Sequence, residues 1–238
     1  MIHSDVKSLI ILAGGLGTRL RSAVADKPKP LAPVAGKPFI DYLIERWAKL
    51  GFSSITLSVG YLGDMIEQYA QCSPHSSILR IVHEATPLGT GGAIRHTLVE
   101  LSDDEEWVLV ANGDTWFPCE PDKLASVSNR HGYPIVVAAT TVTTNDRYGS
   151  IRVGENQSIS RFSEPTNGDD IINAGIYLLK RSYYLEATAE FNGPFSFERD
   201  VLVSQAQMGK VGVSIQNGLF IDIGIPSDFK RAQSLFLK

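Results

Sequence analysis

The sequence predicts an α/β fold: a mainly parallel sheet flanked by helices, with a β-rich second half. Two observations carry this. Up to about residue 134, short apolar runs alternate with amphipathic segments at helical spacing, the rhythm of parallel strands joined by crossover helices. From Ile135 onward strand-like runs dominate. A third observation marks a ligand edge. An apolar strand over 9–13 runs straight into Gly14-Gly15-Leu16-Gly17, and the carboxyl ends of strands are where open α/β sheets bind ligands.

The elements follow in order. After the glycine loop, Phe39, Ile40, Leu43, Ile44, Trp47 and Leu50 recur at helical spacing, and Gly51 supplies a stop. A strand over 54–59, a short helix over 64–69 and a strand over 78–82 come next. Residues 86–92, Thr-Pro-Leu-Gly-Thr-Gly-Gly, turn into a helix over 93–100. A strand over 107–111 ends in Asn112-Gly113-Asp114. The second half reads as strands over 135–142, 149–153, 158–162 and 172–179. Helices follow near 182–190 and 196–207, separated by Asn192-Gly193-Pro194. A last strand over 219–223 carries Asp222, and Pro226 opens the terminal helix. No linker, repeat or low-complexity segment interrupts this order, which predicts one domain over 1–238, with halves of about 1–134 and 135–238.

Composition narrows the function classes. The chain has 238 residues, 43% hydrophobic and 20% charged, with a net charge of −4. That balance offers no broad basic surface for nucleic acid or membrane, so any anion site must be built from a few placed cations and backbone N–H groups. Cys72 and Cys119 are too few and too isolated for a disulfide framework or a zinc site. The N-terminal apolar run spans about five residues, too short for a membrane span or a signal peptide. A cytoplasmic protein is expected.

The first loop has the chemistry of a triphosphate cradle. Gly14, Gly15 and Gly17 let the backbone bend and bring N–H groups against phosphate oxygens. Thr18 adds a hydroxyl and Arg19 a forked cation. Lys29 follows between Pro28 and Pro30. The dinucleotide pattern G-x-G-x-x-G fails for want of a sixth-position glycine, and the Walker pattern fails as well. Asp114 and Asp222 each stand at the end of an expected strand beside a glycine. Either alone reads first as a turn former or helix cap. Together with the loop they read as hard ligands for Mg²⁺.

The string Gly14 to Leu20 followed by Pro28-Lys29-Pro30-Leu31 resembles the sugar-1-phosphate nucleotidylyltransferase family. Four further segments match in order: Phe39 onward after Gly-Lys-Pro, Asn112-Gly113-Asp114, Asn173-Ala-Gly-Ile-Tyr177, and Asp222-Ile-Gly-Ile-Pro226. The resemblance covers nearly the whole chain. Within the family the details are most similar to the branch that guanylylates D-glycero-α-D-manno-heptose 1-phosphate. They are Pro-Leu-Gly-Thr-Gly-Gly-Ala at 87–93, Arg147-Tyr-Gly-Ser, and Phe195-Ser-Phe-Glu.

The resemblance implies a Rossmann-like, glycosyltransferase-A-like nucleotidyltransferase fold, with a nucleotide-binding first half and a sugar-binding second half. It implies Mg²⁺-assisted transfer of a nucleotidyl group from an NTP, GTP favoured, to a sugar 1-phosphate, for surface polysaccharide synthesis. Arg19, Lys29 and Asp114 would be catalytic, and Asp114 and Asp222 would hold the metal. Ala13, Gly14, Gly15, Gly17, Thr18, Glu84, Gly89 and Thr90 would bind nucleotide, with Glu84 reading the base. Asn112, Gly149, Glu164, Asn173 and Gly175 would bind sugar. A homo-oligomer is also implied. The chain departs from the pattern at Glu164-Pro165-Thr166, where the family often has Glu-Lys-Pro and the lysine meets the sugar phosphate. Lys29 alone or Arg147 would have to serve instead. Arg21-Ser22 is a second departure, reshaping the loop where the family has a proline soon after.

The remaining candidates are bland. His3, His75, His83, His96 and His131 share no ligand or triad spacing. Ser196, Glu198 and Asp200 read first as helix capping, with Glu198 also within reach of the sugar. The alternatives are a mannose-1-phosphate guanylyltransferase, a uridylyltransferase of an amino-sugar phosphate, and, in a different class, a non-catalytic nucleotide-sugar-binding subunit. Both metal aspartates are intact, which argues against the silent subunit.

Overall fold

The structure, a computed structural model, describes residues 6–17, 20, 24, 26–102, 105–143, 148–165 and 169–237. His3, Thr18, Arg19, Arg21, Ser22, Arg147 and Thr166 lie outside these.

The chain begins with β1 (Ser8–Leu12), a single helical turn at Lys29–Leu31, and the small hairpin of β2 (Pro33–Val34) and β3 (Lys37–Pro38). Then come α1 (Phe39–Lys49), β4 (Ser54–Val59), α2 (Gly63–Cys72), β5 (Leu79–His83), α3 (Gly89–Glu100) and β6 (Trp107–Asn112). The short β7 (Thr115–Trp116) and α4 (Pro121–His131) lead to β8 (Ile135–Val142), β9 (Ser150–Val153), β10 (Ile159–Ser163) and β11 (Asp170–Lys180). The chain ends through α5 (Arg181–Ala187), a π-helical turn at Phe197–Leu202, α6 (Val203–Gln207), β12 (Val211–Ile215), β13 (Ile221–Asp222) and α7 (Pro226–Leu235).

Among the described residues, nine strands form one sheet. β6, β1, β4 and β5 run parallel; β11 adds antiparallel to β6, and β8 antiparallel to β11. The sheet is covered on both faces, and the two faces divide the core by alternation along each strand. Leu9 and Ile11 of β1 join α1, α2, α4 and α7 on one side. Ile10 joins α3, α5 and α6 on the other. The expected mixed α/β fold with a central, largely parallel sheet is what the chain adopts. No helix among the described residues is long and apolar enough to cross a membrane.

Several elements stand where none is expected, among them β2, β3 and β7. The sequence reading has no element over 118–134, where α4 stands, and none at β12. Others differ in extent. α3 begins at Gly89, four residues before the expected start, and the expected helix over 196–207 is a π-helical turn passing into α6.

The fold sets up a site in two ways. The carboxyl ends of β1, β4, β5 and β6 share one edge of the sheet. β11 is also irregular: between Asn173 and Tyr177 its four steps answer only two on β8, from Ala139 to Val137. Such a bulge bends a strand locally, and Asn173, Gly175 and Tyr177 in and around it border a pocket described below.

Candidate active site

A cavity of about 330 Å³ opens at the carboxyl ends of β1 and β6. Ala13, Gly14, Gly15, Glu84, Gly89 and Thr90 line it, together with Lys29, Asn112 and Asp114. Gly17 borders a small adjoining hollow with Lys29. The loop after β1 and the loop after β6 are tied together, since Gly113 N–H donates to the Leu12 carbonyl at 3.0 Å.

Glu84 closes one wall. Its carboxylate lies so close to Gly14 that a side chain there would begin 2.5 Å from Oε1. The Gly60 backbone N would also lie 3.0 Å from a side chain at 14, so glycine there serves close approach rather than an unusual φ. The Leu88 N–H donates to Glu84 Oε2 at 3.1 Å, holding the turn into α3. Burial raises the Glu84 carboxyl above the ordinary glutamate value, against the opposing pull of the Leu88 N–H and His96.

Lys29 enters from the helical turn between two prolines. Its Nζ lies 2.7 Å from Asp114 Oδ2, with side chains only 13% and 27% exposed. Asp222 reaches the same place through the two-residue pairing of β7 with β13, which sets it opposite Thr115. Ile223 N–H donates to the Asp114 carbonyl at 2.9 Å. Gly224 N–H donates to Asp222 Oδ1 at 2.7 Å. A side chain at Gly224 would begin 3.4 Å from Lys29 Nζ. Lys29, Asp114 and the Asp222–Gly224 turn therefore converge.

A second pocket of about 190 Å³ adjoins the first at Asn112 and extends under the β-rich half. Gly149, Asn173, Gly175 and Asp222 line it, as does Glu198. Glu164 instead borders an outer cleft that shares Gly149, Asn173 and Glu198 with this pocket. Gly175 sits at φ +71, and a side chain there would begin 2.8 Å from Asn112 Nδ2. Its N–H donates to Asn173 Oδ1 at 2.8 Å.

A polar chain joins the two pockets. Thr90 Oγ1 donates to Glu198 Oε2 at 2.7 Å, and Ser196 Oγ donates to the same oxygen at 3.1 Å. Tyr177 donates from its hydroxyl to Glu198 Oε1 at 3.5 Å and accepts from Asn173 Nδ2 at 2.9 Å. Burial first, then Glu198, pushes the Tyr177 phenol well above its ordinary value, so it stays a neutral donor. The N–H groups of Gly91 and Gly92 donate to the Phe195 carbonyl. The glycine-rich start of α3 thus clamps the second half to the first. Sequence reading did not single out Tyr177, although it lies within the quoted Asn173 to Tyr177 segment. Thr115, Tyr148 and Phe220 also line this pocket; Tyr148 lies within the quoted Arg147-Tyr-Gly-Ser segment without having been singled out as a site residue.

The chain matches the family model described as nucleotidyl transferase over residues 8–238. The chain belongs to the nucleotidyl transferase family. This nucleotidyltransferase is 35% identical to the D-glycero-alpha-D-manno-heptose 1-phosphate guanylyltransferase of Aneurinibacillus thermoaerophilus, covering 94% of this chain and 96% of that one. It is 36% identical to the protein of the same name from Campylobacter jejuni subsp. jejuni serotype O:2, over 92% and 96%. The crystal structure of HddC from Yersinia pseudotuberculosis complexed with GMP-PN superposes with a TM-score of 0.83 at 32% identity, covering 97% of this chain and all of that one. The mannose-1-phosphate guanylyltransferase catalytic subunit beta of Danio rerio is 28% identical, and the match covers 64% of its length.

Asp114 and Asp222 both bring carboxylates to the convergence point. Mg²⁺ commonly takes one or two carboxylates and fills its octahedron with phosphate oxygens and water. The residues present therefore fit such an ion. Asp64, Glu67 and His83 form a separate group of potential ligands, in which His83 Nε2 is 2.9 Å from Glu67 Oε2.

Proposed function

We propose that this nucleotidyltransferase moves the guanylyl group of GTP to D-glycero-α-D-manno-heptose 1-phosphate, releasing pyrophosphate. The observation that carries the reading is the convergence of Lys29, Asp114 and Asp222 where the two pockets meet. The heptose guanylyltransferases among its relatives favour this substrate pair.

In the reaction, an oxygen of the sugar 1-phosphate forms a bond to the α-phosphorus. The bond from that phosphorus to the bridging oxygen breaks, and pyrophosphate leaves with the electron pair. No general base is needed, because a phosphate monoester has a second pKa of about 6 and is largely dianionic at neutral pH. The difficulty is bringing two anions together in line, which calls for cations and positioning. Lys29 supplies a cation where the phosphates meet, and Arg19 is assigned the leaving β- and γ-phosphates. Ala13, Gly14, Gly15, Gly17 and Thr18 cradle the triphosphate, while Gly89 and Thr90 border the nucleoside. Glu84 accepts from the two Watson–Crick donors of guanine as an ionised, acceptor-only group. Asn112, Gly149, Asn173 and Gly175 hold the sugar, with Glu164 at its outer end. Mg²⁺ held by Asp114 and Asp222 would neutralise phosphate charge.

We assign the chain a single domain, with its nucleotide half at about 1–134 and its sugar half at about 135–238. Its free cysteines suit a reducing cytoplasm; Cys119 is buried, which pushes its thiol up to about 12. Surface polysaccharide synthesis is the pathway that consumes such a product. The test is pyrophosphate release from GTP, UTP, CTP and dTTP against heptose, mannose and glucosamine 1-phosphates. Preferential turnover of GTP with the heptose phosphate is expected. Turnover of a different pair overturns the substrate assignment, and no turnover with any pair overturns catalysis in favour of a nucleotide-sugar-binding subunit.

A further inference from the structure

The outer cleft, about 850 Å³, contains three arginines that the reaction does not use: Arg152, Arg161 and Arg199. Arg152 and Arg161 stand directly opposite each other in the antiparallel pairing of β9 with β10. Like charges in that position destabilise a ladder, so their juxtaposition works against folding in the absence of a ligand. Arg199 comes from the π-helical turn on a separate part of the chain. All three are exposed. Among the described residues no ion pair involves them, although Glu164 and Glu198 border the same cleft. Glu198 instead accepts from Thr90 and Ser196. Guanidinium groups left without carboxylate partners around one concavity are suited to the tetrahedral oxygens of a phosphate.

The cleft is contiguous with the acceptor pocket through Gly149, Asn173 and Glu198, yet Lys29, Asp114 and Asp222 do not border it. A phosphate held by the arginines would thus be bordered by none of the three residues assigned to the reacting phosphates. We propose that Arg152, Arg161 and Arg199 form a second anion site, at the outer end of the acceptor pocket, that binds a phosphate monoester other than the reacting 1-phosphate. Its placement rests on the acceptor-pocket reading, but its occupancy does not depend on which nucleotide or sugar reacts.

The phosphate has two sources: a free phosphate acting beside the acceptor, or a second phosphate carried on the acceptor at the end away from C1. Inorganic phosphate is the first probe. It is titrated into the whole protein while the arginine Nε–H signals are followed by NMR, each assigned by its own substitution. The signals of Arg152, Arg161 and Arg199 are expected to shift together, with affinity falling as salt is raised. Arg152→Gln and Arg161→Gln should each weaken binding about tenfold, while Lys29→Ala should leave these shifts unchanged. No shift in the wild type overturns the proposal. So does binding that Lys29→Ala abolishes and the arginine substitutions spare, since that places the phosphate at the reaction centre. A sugar 1,6-bisphosphate distinguishes the sources: shifts of the cleft arginines and Lys29 at one stoichiometric equivalent support a phosphate on the acceptor. Shifts with inorganic phosphate but not with the bisphosphate support a separate ligand. Turnover assays fail or succeed independently of these signals.

Discussion

Lys29 and Asp114, 85 residues apart, are joined by a 2.7 Å ion pair at the meeting point of the two pockets. Each group keeps the other in place before substrate arrives. The pair also sets a requirement, because the lysine must turn part of its hydrogen bonding toward phosphate for the chemistry to proceed. Lys29→Ala is expected to lower kcat/KM by about 10²–10³-fold, the usual loss on removing one donor that stabilises developing charge. Lys29→Arg should restore only part of it, since a planar fork does not replace a point charge in this confined position. Combining Lys29→Ala with Asp114→Asn should cost less than the product of the single effects, as expected for groups that act as a unit. Steady-state kinetics with pyrophosphate detection, alongside Tm, checks this.

Asp114 and Asp222 should share one function despite their distance in the chain. Asp222→Asn is expected to raise the Mg²⁺ concentration needed for half-maximal rate, with much of the rate recovered at high metal. A chelator should abolish turnover of the wild type, and added Mg²⁺ should restore it. A metal titration that is identical in Asp222→Asn and wild type would remove Asp222 from the metal site.

Glu84 makes a prediction about pH with a definite sign. Burial raises its carboxyl above the ordinary value, and only the ionised form accepts from both guanine donors. As pH falls, KM for GTP should begin to rise at a higher pH than an ordinary glutamate would give. Glu84→Gln should remove that pH limb and reduce the preference for GTP over UTP. The raised value also means that ionising Glu84 opposes folding. Its penalty is absent below the unfolded-state pKa and develops as pH rises toward the folded one. Ligand-free Glu84→Gln should therefore have a higher Tm than wild type at neutral pH, and the difference should shrink in acid.

Gly175 separates backbone strain from the shape of the pocket. Gly175→Ala forces an L residue to φ +71 and drives its methyl against the Asn112 amide. It should lose about 1–3 kcal/mol of stability and raise KM for the sugar phosphate severalfold. Gly132 has φ +74 with nothing within 4 Å of an added methyl. Gly132→Ala should destabilise by strain alone and leave KM unchanged. Equal KM values for the two variants would show that Asn112 is not positioned through Gly175.

Much of the architecture was legible because it is periodic. β4 and β8 fall on their expected residues, and α1 starts at Phe39 as its apolar spacing predicts. α4 was not legible, because only Leu124 and Val127 of its buried positions are large apolar residues and the others are the small Ala125 and Ser128. The apolar pattern of β12 is interrupted by Gly212, where a side chain would begin 2.4 Å from the Tyr133 ring. α3 starts early because glycines, poor helix formers in isolation, are held in helical form by the Phe195 carbonyl and by Glu198 on Thr90.

By itself the sequence determined the alternation of strands and helices, the glycine loop at a strand end, and the residue types able to handle phosphate and metal. These are local properties, set by side-chain chemistry and by the periods of helix and strand. Only the tertiary structure decided which of those groups meet. The β7–β13 pairing brings Asp222 to Asp114, Asn173 at the bulge in β11 borders the acceptor pocket, and Thr90 bonds Glu198 across 108 residues. Sheet order and close packing fix such pairings, because contacts distant in the chain leave no period in the sequence.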